Sequence, residues 1–211
     1  MIFKTFKPAS AASALVLAST LALPALAHGK ADWSVNPDNS SVNFVSIKNS
    51  SVGEVHHFKT LQGSLKDGQL LVNIDLASVE TGIEIRNTRM QDYLFETGQF
   101  ATATITANVR HIDYNHLKVG QSLRSNVSFA ITLHGKKVIL NTDVAITQQA
   151  DNTLNVITEK PIMLHAKDFG LEGGIAKLIE LAGLKAIASS VPVTAILNLK
   201  KIPSNNNKKA L

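Results

Sequence analysis

Five long runs between residues 70 and 199 alternate apolar and polar side chains with a period of two. Leu70, Val72, Ile74 and Leu76 alternate with Leu71, Asn73, Asp75 and Ala77. Ala101, Ala103, Ile105, Ala107 and Val109 alternate with Thr102, Thr104, Thr106 and Asn108. Val127, Phe129, Ile131 and Leu133 form a third row, and Val138, Leu140, Val144 and Ile146 a fourth that passes Thr142. Val191, Val193, Ala195, Leu197 and Leu199 form the fifth. Successive side chains on a strand point to opposite faces, so each run reads as a half-buried antiparallel strand with one dry face. The segments 33–35, 42–47 and 55–58 add strands with less regular alternation.

Turn chemistry separates the runs. Asp67-Gly68 is a strong hairpin signal, and Gly135 with Lys136 and Asp151-Asn152 are further turn candidates. The count comes to eight or nine strands with mostly short connections. Without βαβ spacing, that pattern predicts an antiparallel barrel or sandwich, not a parallel sheet. Two stretches read as short helices. Met90, Tyr93 and Leu94 stand at helical spacing in 86–95. Ile175, Leu178, Ile179, Ala182 and Leu184 do so in 175–187, a stretch that Gly183 weakens.

The N-terminus changes the domain count. Lys4 and Lys7 precede an apolar run from Ala11 to Leu23, followed by Pro24-Ala25-Leu26-Ala27. This order predicts a secretory signal at 1–27, cleaved after Ala27. The run is too short for a spanning helix of about 20 residues. The expected product is an exported protein that does not span the membrane, periplasmic in a double-membrane bacterium. A single domain at 28–202 and a disordered tail at 203–211 complete the reading.

Charge and composition then narrow the function. The chain of 211 residues carries a formal +5, but Lys4, Lys7, Lys200, Lys201, Lys208 and Lys209 lie at its ends. Between residues 28 and 199 there are 15 Lys and Arg against 16 Asp and Glu. With only 11 aromatic residues in the chain, nothing supports a nucleic-acid interface. The absence of Cys removes disulfides, thiolate metal sites and a cysteine nucleophile.

Candidate chemistry is sparse. His56 and His57 are adjacent, so on a strand they face opposite ways. His111, Asp113 and His116 could supply three zinc ligands, with 111 and 113 sharing a strand face, which would permit a metal-dependent hydrolase. No strong metal spacing accompanies them, and surface hairpin histidines are the simpler reading, so no metal and no cofactor are assigned. There is no Gly-x-Ser-x-Gly elbow and no phosphate-binding P-loop. The residues alone therefore predict no catalysis.

Other stretches carry a resemblance. The run 79–90 (Val-Glu-Thr-Gly-Ile-Glu-Ile-Arg-Asn-Thr-Arg-Met) closes a strand and opens a helix, and Phe95-Glu96 and Phe100-Ala101-Thr102-Ala103 follow. Together with Trp33-Ser34-Val35 through Val42-Asn43-Phe44, Phe58 to Gly63, and Asp168-Phe169-Gly170, they make the chain resemble the YceI-like family. It departs from the family's usual pattern at Arg86-Asn87 (commonly Arg-Asp), Arg89-Met90 (His-Leu) and Phe100-Ala101 (Tyr-Pro).

The resemblance implies an all-β, eight-stranded antiparallel lipocalin-like barrel with one or two short helices. It also implies an exported carrier, not an enzyme, that holds an isoprenoid or similar amphipathic lipid, a quinone among them. Val72, Ile74, Phe129, Ile131, Leu133, Leu140 and Val144 would then line the tunnel, with Phe44 and Phe58. Arg86, Asn87 and Arg89 would contact a head group or pin the helix. At about 0.8 kcal/mol per buried CH₂, a five-carbon prenyl unit gains about 3–4 kcal/mol on leaving water, so such a carrier needs little polar machinery. The rival expectation is a periplasmic, stress-related structural or interaction protein whose barrel is solid, since filled cores show the same inward rows.

Overall fold

The computed structural model describes residues 32–203; the expected signal and all but the first residue of the expected tail lie outside them. Twelve strand segments among these residues join end to end into eight longer strands. β1 (Trp33–Val35) continues as β2 (Ser41–Lys48) past a 3₁₀ turn at Pro37–Asn39. β3 (Val52–Phe58) and β4 (Leu61–Lys66) form the second strand, β5 (Gln69–Asp75) and β6 (Val79–Glu80) the third. β7 (Thr102–Asn108), β8 (Ser122–Leu133) and β9 (Lys136–Gln149) are unbroken. β10 (Thr153–Thr158) and β11 (Ile162–His165) form the seventh, and β12 (Ser190–Lys201) the eighth.

Each strand pairs antiparallel with the next, and the last returns to the first: Val35 lies opposite Leu199, and Phe44 opposite Val193. The sheet is therefore a closed eight-stranded barrel. Closure leaves no strand edge unpaired around the ring. The segments 36–40, 59–60, 76–78 and 159–161 interrupt four of these strands.

Turn geometry follows the local sequence. Asp67-Gly68 and His134-Gly135 have positive φ at both central residues, the backbone twist that two-residue hairpins favour. The second hairpin turns at 134–135, not at Gly135 with Lys136, because Lys136 already pairs with Leu133. Positive φ also occurs at Asn49 and Ser50, between β2 and β3, and at Asp151 and Asn152, between β9 and β10.

The dry faces predicted from alternation point inward. Trp33, Val72, Leu76, Leu154 and Leu199 are almost wholly shielded from solvent, as is Tyr114 of a 3₁₀ turn at Tyr114–His116. His111 and Asp113 do not share a strand face; β7 ends at Asn108, and both lie in the connection to β8. Asp113 pairs instead with exposed His116, Oδ1 to Nδ1 at 2.6 Å. Among the described residues no group of three His, Asp or Glu converges to hold a metal ion.

Both helical stretches exist with shifted ends. α1 (Glu84–Arg89) begins two residues before the expected start and passes into a π turn at Met90–Leu94, closed by Phe95 N–H to Met90 O at 2.9 Å. In an α-helix, residues 90 and 95 would diverge by about 140°; the wider turn aims both Met90 and Phe95 at the core. α2 is Glu172–Ala182, and Gly183 ends it with φ +61° and its N–H on the carbonyls of Ile179 and Glu180. The glycine expected to weaken that helix is its C-terminal stop. No helix among the described residues is long and apolar enough to cross a membrane.

Candidate functional site

The barrel interior is not filled by its own side chains. Three cavities follow one another along it. The deepest, about 110 Å³, is walled by Leu65, Leu70, Val109, Val144, Leu154 and Leu199, with Ile112 and Tyr114 among its lining. The middle one, about 150 Å³, is walled by Phe44, Phe58, Ile74, Phe95, Ile131, Leu133 and Phe169, among others. A third, about 320 Å³, lies between the end of the barrel, α1 and α2. An apolar cavity of the middle one's size and lining stays free of water and admits an apolar guest.

Rings crowd the middle cavity. Phe44 and Phe58 have centroids 5.4 Å apart, Phe58 and Phe95 5.8 Å, and Phe44 and His56 5.2 Å. The row arises from cross-strand pairing of β2 and β3, where Phe44 faces His56. It is extended by the π turn, which delivers Phe95. Helix α2 covers the outer cavity because Gly174 lets it approach closely. A Cβ there would lie 2.8 Å from Leu94 Cα and closer still to the Tyr93 carbonyl oxygen.

The inner face changes character toward the helices. On β2 the inward positions run Val42, Phe44, Ser46, Lys48; on β3 they run Phe58, His56, Glu54. The outer cavity thereby acquires Ser46, Lys48 and His56, and the helix adds Arg86 and Arg89. Exposed Ile83 and Ile85 lie on its rim. Its lining holds three cations and no carboxylate.

These polar groups are tied together. Glu54 Oε2 accepts from Lys48 Nζ and from Arg86 Nη1, both at 2.7 Å. The hydrogen bond from Lys48 and the charge of Arg86 hold the Glu54 carboxyl below its usual range. Arg86 Nη2 donates to the Thr81 carbonyl at 2.5 Å. His56, only 1% exposed, shares a hydrogen bond with Ser46 through Nε2 and Oγ at 2.8 Å. Burial first, and then the Arg86 charge, push its pKa down, so the imidazole is neutral at neutral pH.

Two buried nitrogens in this group have no hydrogen-bond partner among the described residues: His56 Nδ1 and Arg86 Nε. Buried polar atoms are rarely left so, and both belong to residues lining the outer cavity. A serine beside a histidine also invites a hydrolytic reading. Nucleophile activation normally includes a third group that orients the base, and His56 Nδ1 has none. Ser46 and His56 therefore lack the third member of that arrangement among the described residues.

The residues expected to line a tunnel fall into two groups. Phe44, Phe58, Ile74, Phe129, Ile131, Leu133 and Val144 border the inner cavities. Val72 is fully enclosed in the wall, and Leu140 is half-buried; neither borders a cavity. Of the three helix residues, Arg86 and Arg89 line the outer cavity and Asn87 does not. Asn87 pins the helix: its Oδ1 accepts from the Thr81 N–H at 2.9 Å and hydroxyl at 2.6 Å, and its Nδ2 donates to Glu80. The sequence reading missed Ser46, Lys48 and His56. The signal for Ser46 and Lys48 was the period-two row from Val42 to Lys48, which turns polar halfway along; His56 reaches the cavity through the pairing of β3 with β2.

This architecture has known counterparts. A polyisoprenoid binding domain from Saccharophagus degradans, implicated in plant cell wall breakdown, is 36% identical, with a TM-score of 0.79; the match covers 82% of this chain and 100% of that one. Burkholderia cenocepacia BcnA shares the fold at 20% identity and a TM-score of 0.62, over 78% of this chain and 98% of its own. No curated protein matches the chain. The family model of the YceI-like domain matches residues 33–199. With the closed barrel, its two short helices and the matched span agreeing, the chain belongs to the YceI-like family.

Proposed function

We propose that this protein is a non-enzymatic carrier that encloses the tail of an isoprenoid or similar amphipathic lipid. The observation that carries this reading is the row of cavities, apolar at depth and bordered at the mouth by Lys48, Arg86, Arg89 and His56. The 36% identical relative that is a polyisoprenoid binding domain supports the same ligand class. The hollow interior argues against the solid-barrel alternative.

Branched aliphatic and aromatic walls suit a methyl-studded chain, which gains about 3–4 kcal/mol per buried prenyl unit. At the mouth, His56 Nδ1 and Arg86 Nε meet the oxygen of a head group, with Lys48 and Arg89 nearby. A quinone carbonyl and a phosphate oxygen both satisfy that requirement. The order of the N-terminal residues supports export, with cleavage after Ala27 and a periplasmic location in a double-membrane bacterium.

Protein purified from its native host without detergent, extracted with organic solvent and analysed by mass spectrometry, tests the reading. A stoichiometric prenyl lipid is expected, along with a mature chain starting at His28. Recovery of no lipid, together with no uptake of added prenyl lipids, would sink it.

A further inference from the structure

We infer that the rim of the outer cavity docks on an anionic membrane surface. This rests on the lipid-carrier reading above, since a cargo with little place in water has to be taken from a bilayer and returned to one. Three segments make up the rim. The first is the turn between β2 and β3, with Lys48 before it and Val52 after it. The second, 83–89, leads into α1 and forms it; the third, 184–188, follows α2. They are held together. The Asn49 N–H donates to the Ala186 carbonyl at 2.9 Å, Asn49 Oδ1 accepts from the Lys185 N–H at 2.9 Å, and Lys48 pairs with Ile187 in an antiparallel bridge. Arg86 ties α1 to β3 through Glu54 at 2.7 Å.

Apolar side chains stand out from this rim. Ile83 is 48% exposed, Ile85 57% and Val52 48%. Leu184 and Ile187, half-buried, line the same cavity as the two isoleucines. Single exposed aliphatic side chains are ordinary on a protein surface. These instead border the route to the apolar depth, because Phe44, Leu94, Ile175 and Val191 line both the outer cavity and the middle one.

Charge selects the partner. Segments 48–54, 83–89 and 184–188 carry four cations, Lys48, Arg86, Arg89 and Lys185, against two carboxylates, Glu54 and Glu84. Between residues 28 and 199 as a whole, acids outnumber bases 16 to 15, so the rim is cationic on a body that is not. Glu54 is already engaged by Lys48 and Arg86, whereas Arg89 and Lys185 have no carboxylate partner among the described residues. Protruding aliphatic side chains flanked by Lys and Arg suit a bilayer interface: the former enter the acyl boundary and the latter meet lipid phosphates. Docked this way, the outer cavity opens onto lipid, and a chain passes between bilayer and barrel without crossing water.

The test sediments delipidated protein, purified from its native host, with vesicles of phosphatidylethanolamine and phosphatidylglycerol, and with vesicles of phosphatidylcholine alone. Wild type should pellet with the anionic vesicles, and less as salt rises. Ile83→Ser with Ile85→Ser should weaken this binding about tenfold, and Lys185→Glu about fivefold or more. Lys185 lines none of the three cavities, so its variant should keep wild-type affinity for a prenyl alcohol, read by displacement of a fluorescent apolar dye. Vesicle binding that survives these substitutions comes from elsewhere on the chain, the lysines at 200–209 included, and overturns the docking surface. Equal sedimentation with both vesicle types does the same. So does failure to pellet with protein-free vesicles, even if the rim variants lose their hold on native membranes, which would give the rim to a membrane protein. Each of these results leaves the carrier reading standing while the prenyl alcohol still binds. Wild type that binds neither vesicles nor alcohol overturns both.

Discussion

Asn87 Nδ2 donates to Glu80 Oε1 at 3.1 Å while Asn87 Oδ1 accepts from Thr81. One amide thus joins β6 to α1 by acting as donor and acceptor at once. Glu80 also accepts from the Gly82 N–H at 2.7 Å and from Lys59 Nζ at 3.0 Å. The hydrogen bond from Asn87, then that from Gly82, pulls the Glu80 pKa down to about 2. A carboxylate at 87 could accept from Thr81 but could not donate to Glu80.

Asn87→Ala is expected to cost about 1–3 kcal/mol, because it strands the Thr81 N–H and removes the hydrogen bond to Glu80. Urea unfolding at neutral pH reads this. A change within error would show that α1 is held from elsewhere, by Arg86 above all.

Asn87→Asp should make the acid side of the stability profile diverge from wild type. In the wild type the depressed Glu80 pKa contributes stability present above the ordinary carboxylate value of 4.5 and lost as pH falls toward about 2. The variant sets a second carboxylate beside Glu80 and loses that contribution. The two proteins should differ most at neutral pH and converge near pH 2, as measured by urea midpoints across the range. A constant offset would refute the pairing.

His56→Phe tests the polar mouth. Replacing the imidazole by an apolar ring removes a buried unpartnered nitrogen but also takes the Ser46 hydroxyl's partner, so stability at neutral pH should change by no more than about 1 kcal/mol. Because burial lowers the His56 pKa from 6.5, the unfolded chain takes up a proton near pH 6.5 that the folded chain refuses. Wild-type stability therefore falls as pH drops below 6.5, by at most about 1.4 kcal/mol per pH unit from this group. The variant should lose that part of the slope. It should also bind prenols as before while discriminating less among head groups, read by competition between a prenol and its phosphate or quinone counterpart. Undiminished head-group discrimination would remove His56 from the site.

Gly174→Ala places a methyl against the Tyr93 carbonyl and Leu94 Cα. Either α2 lifts from the π turn or the turn shifts, at a cost of about 1–3 kcal/mol. Hydrogen exchange should quicken at the amides of α2, and bound lipid should leave faster because the cover is displaced. Unchanged exchange along 172–182 would mean the helix is free to move already.

Much of this molecule could be read from residue order. The period of two in Val127–Leu133 or Leu70–Ile74 fixes which face of a strand is dry, whatever the strand lies beside. Asp67-Gly68 fixes a hairpin because both residues tolerate positive φ. Those are local constraints, and a sequence carries them directly. The helix ends were legible only within a few residues. Leu171 and Ile83, the residues before α2 and α1, offer no capping side chain to announce a start, and the π turn at Met90 exists to bring Phe95 inward.

Residue order by itself determined the strands, their wet and dry faces and the resemblance that pointed to a barrel. Tertiary structure decided whether the barrel is hollow and where it becomes polar. Val72 and Ile74 stand two apart on the same face, yet only Ile74 borders a cavity, because free space depends on what the opposite wall supplies. His56 and Arg86 are thirty residues apart in the chain and meet only because β3 and α1 close on the same end. Alternation records the side a residue faces, whereas a void or a shared polar contact is a property of several distant segments at once.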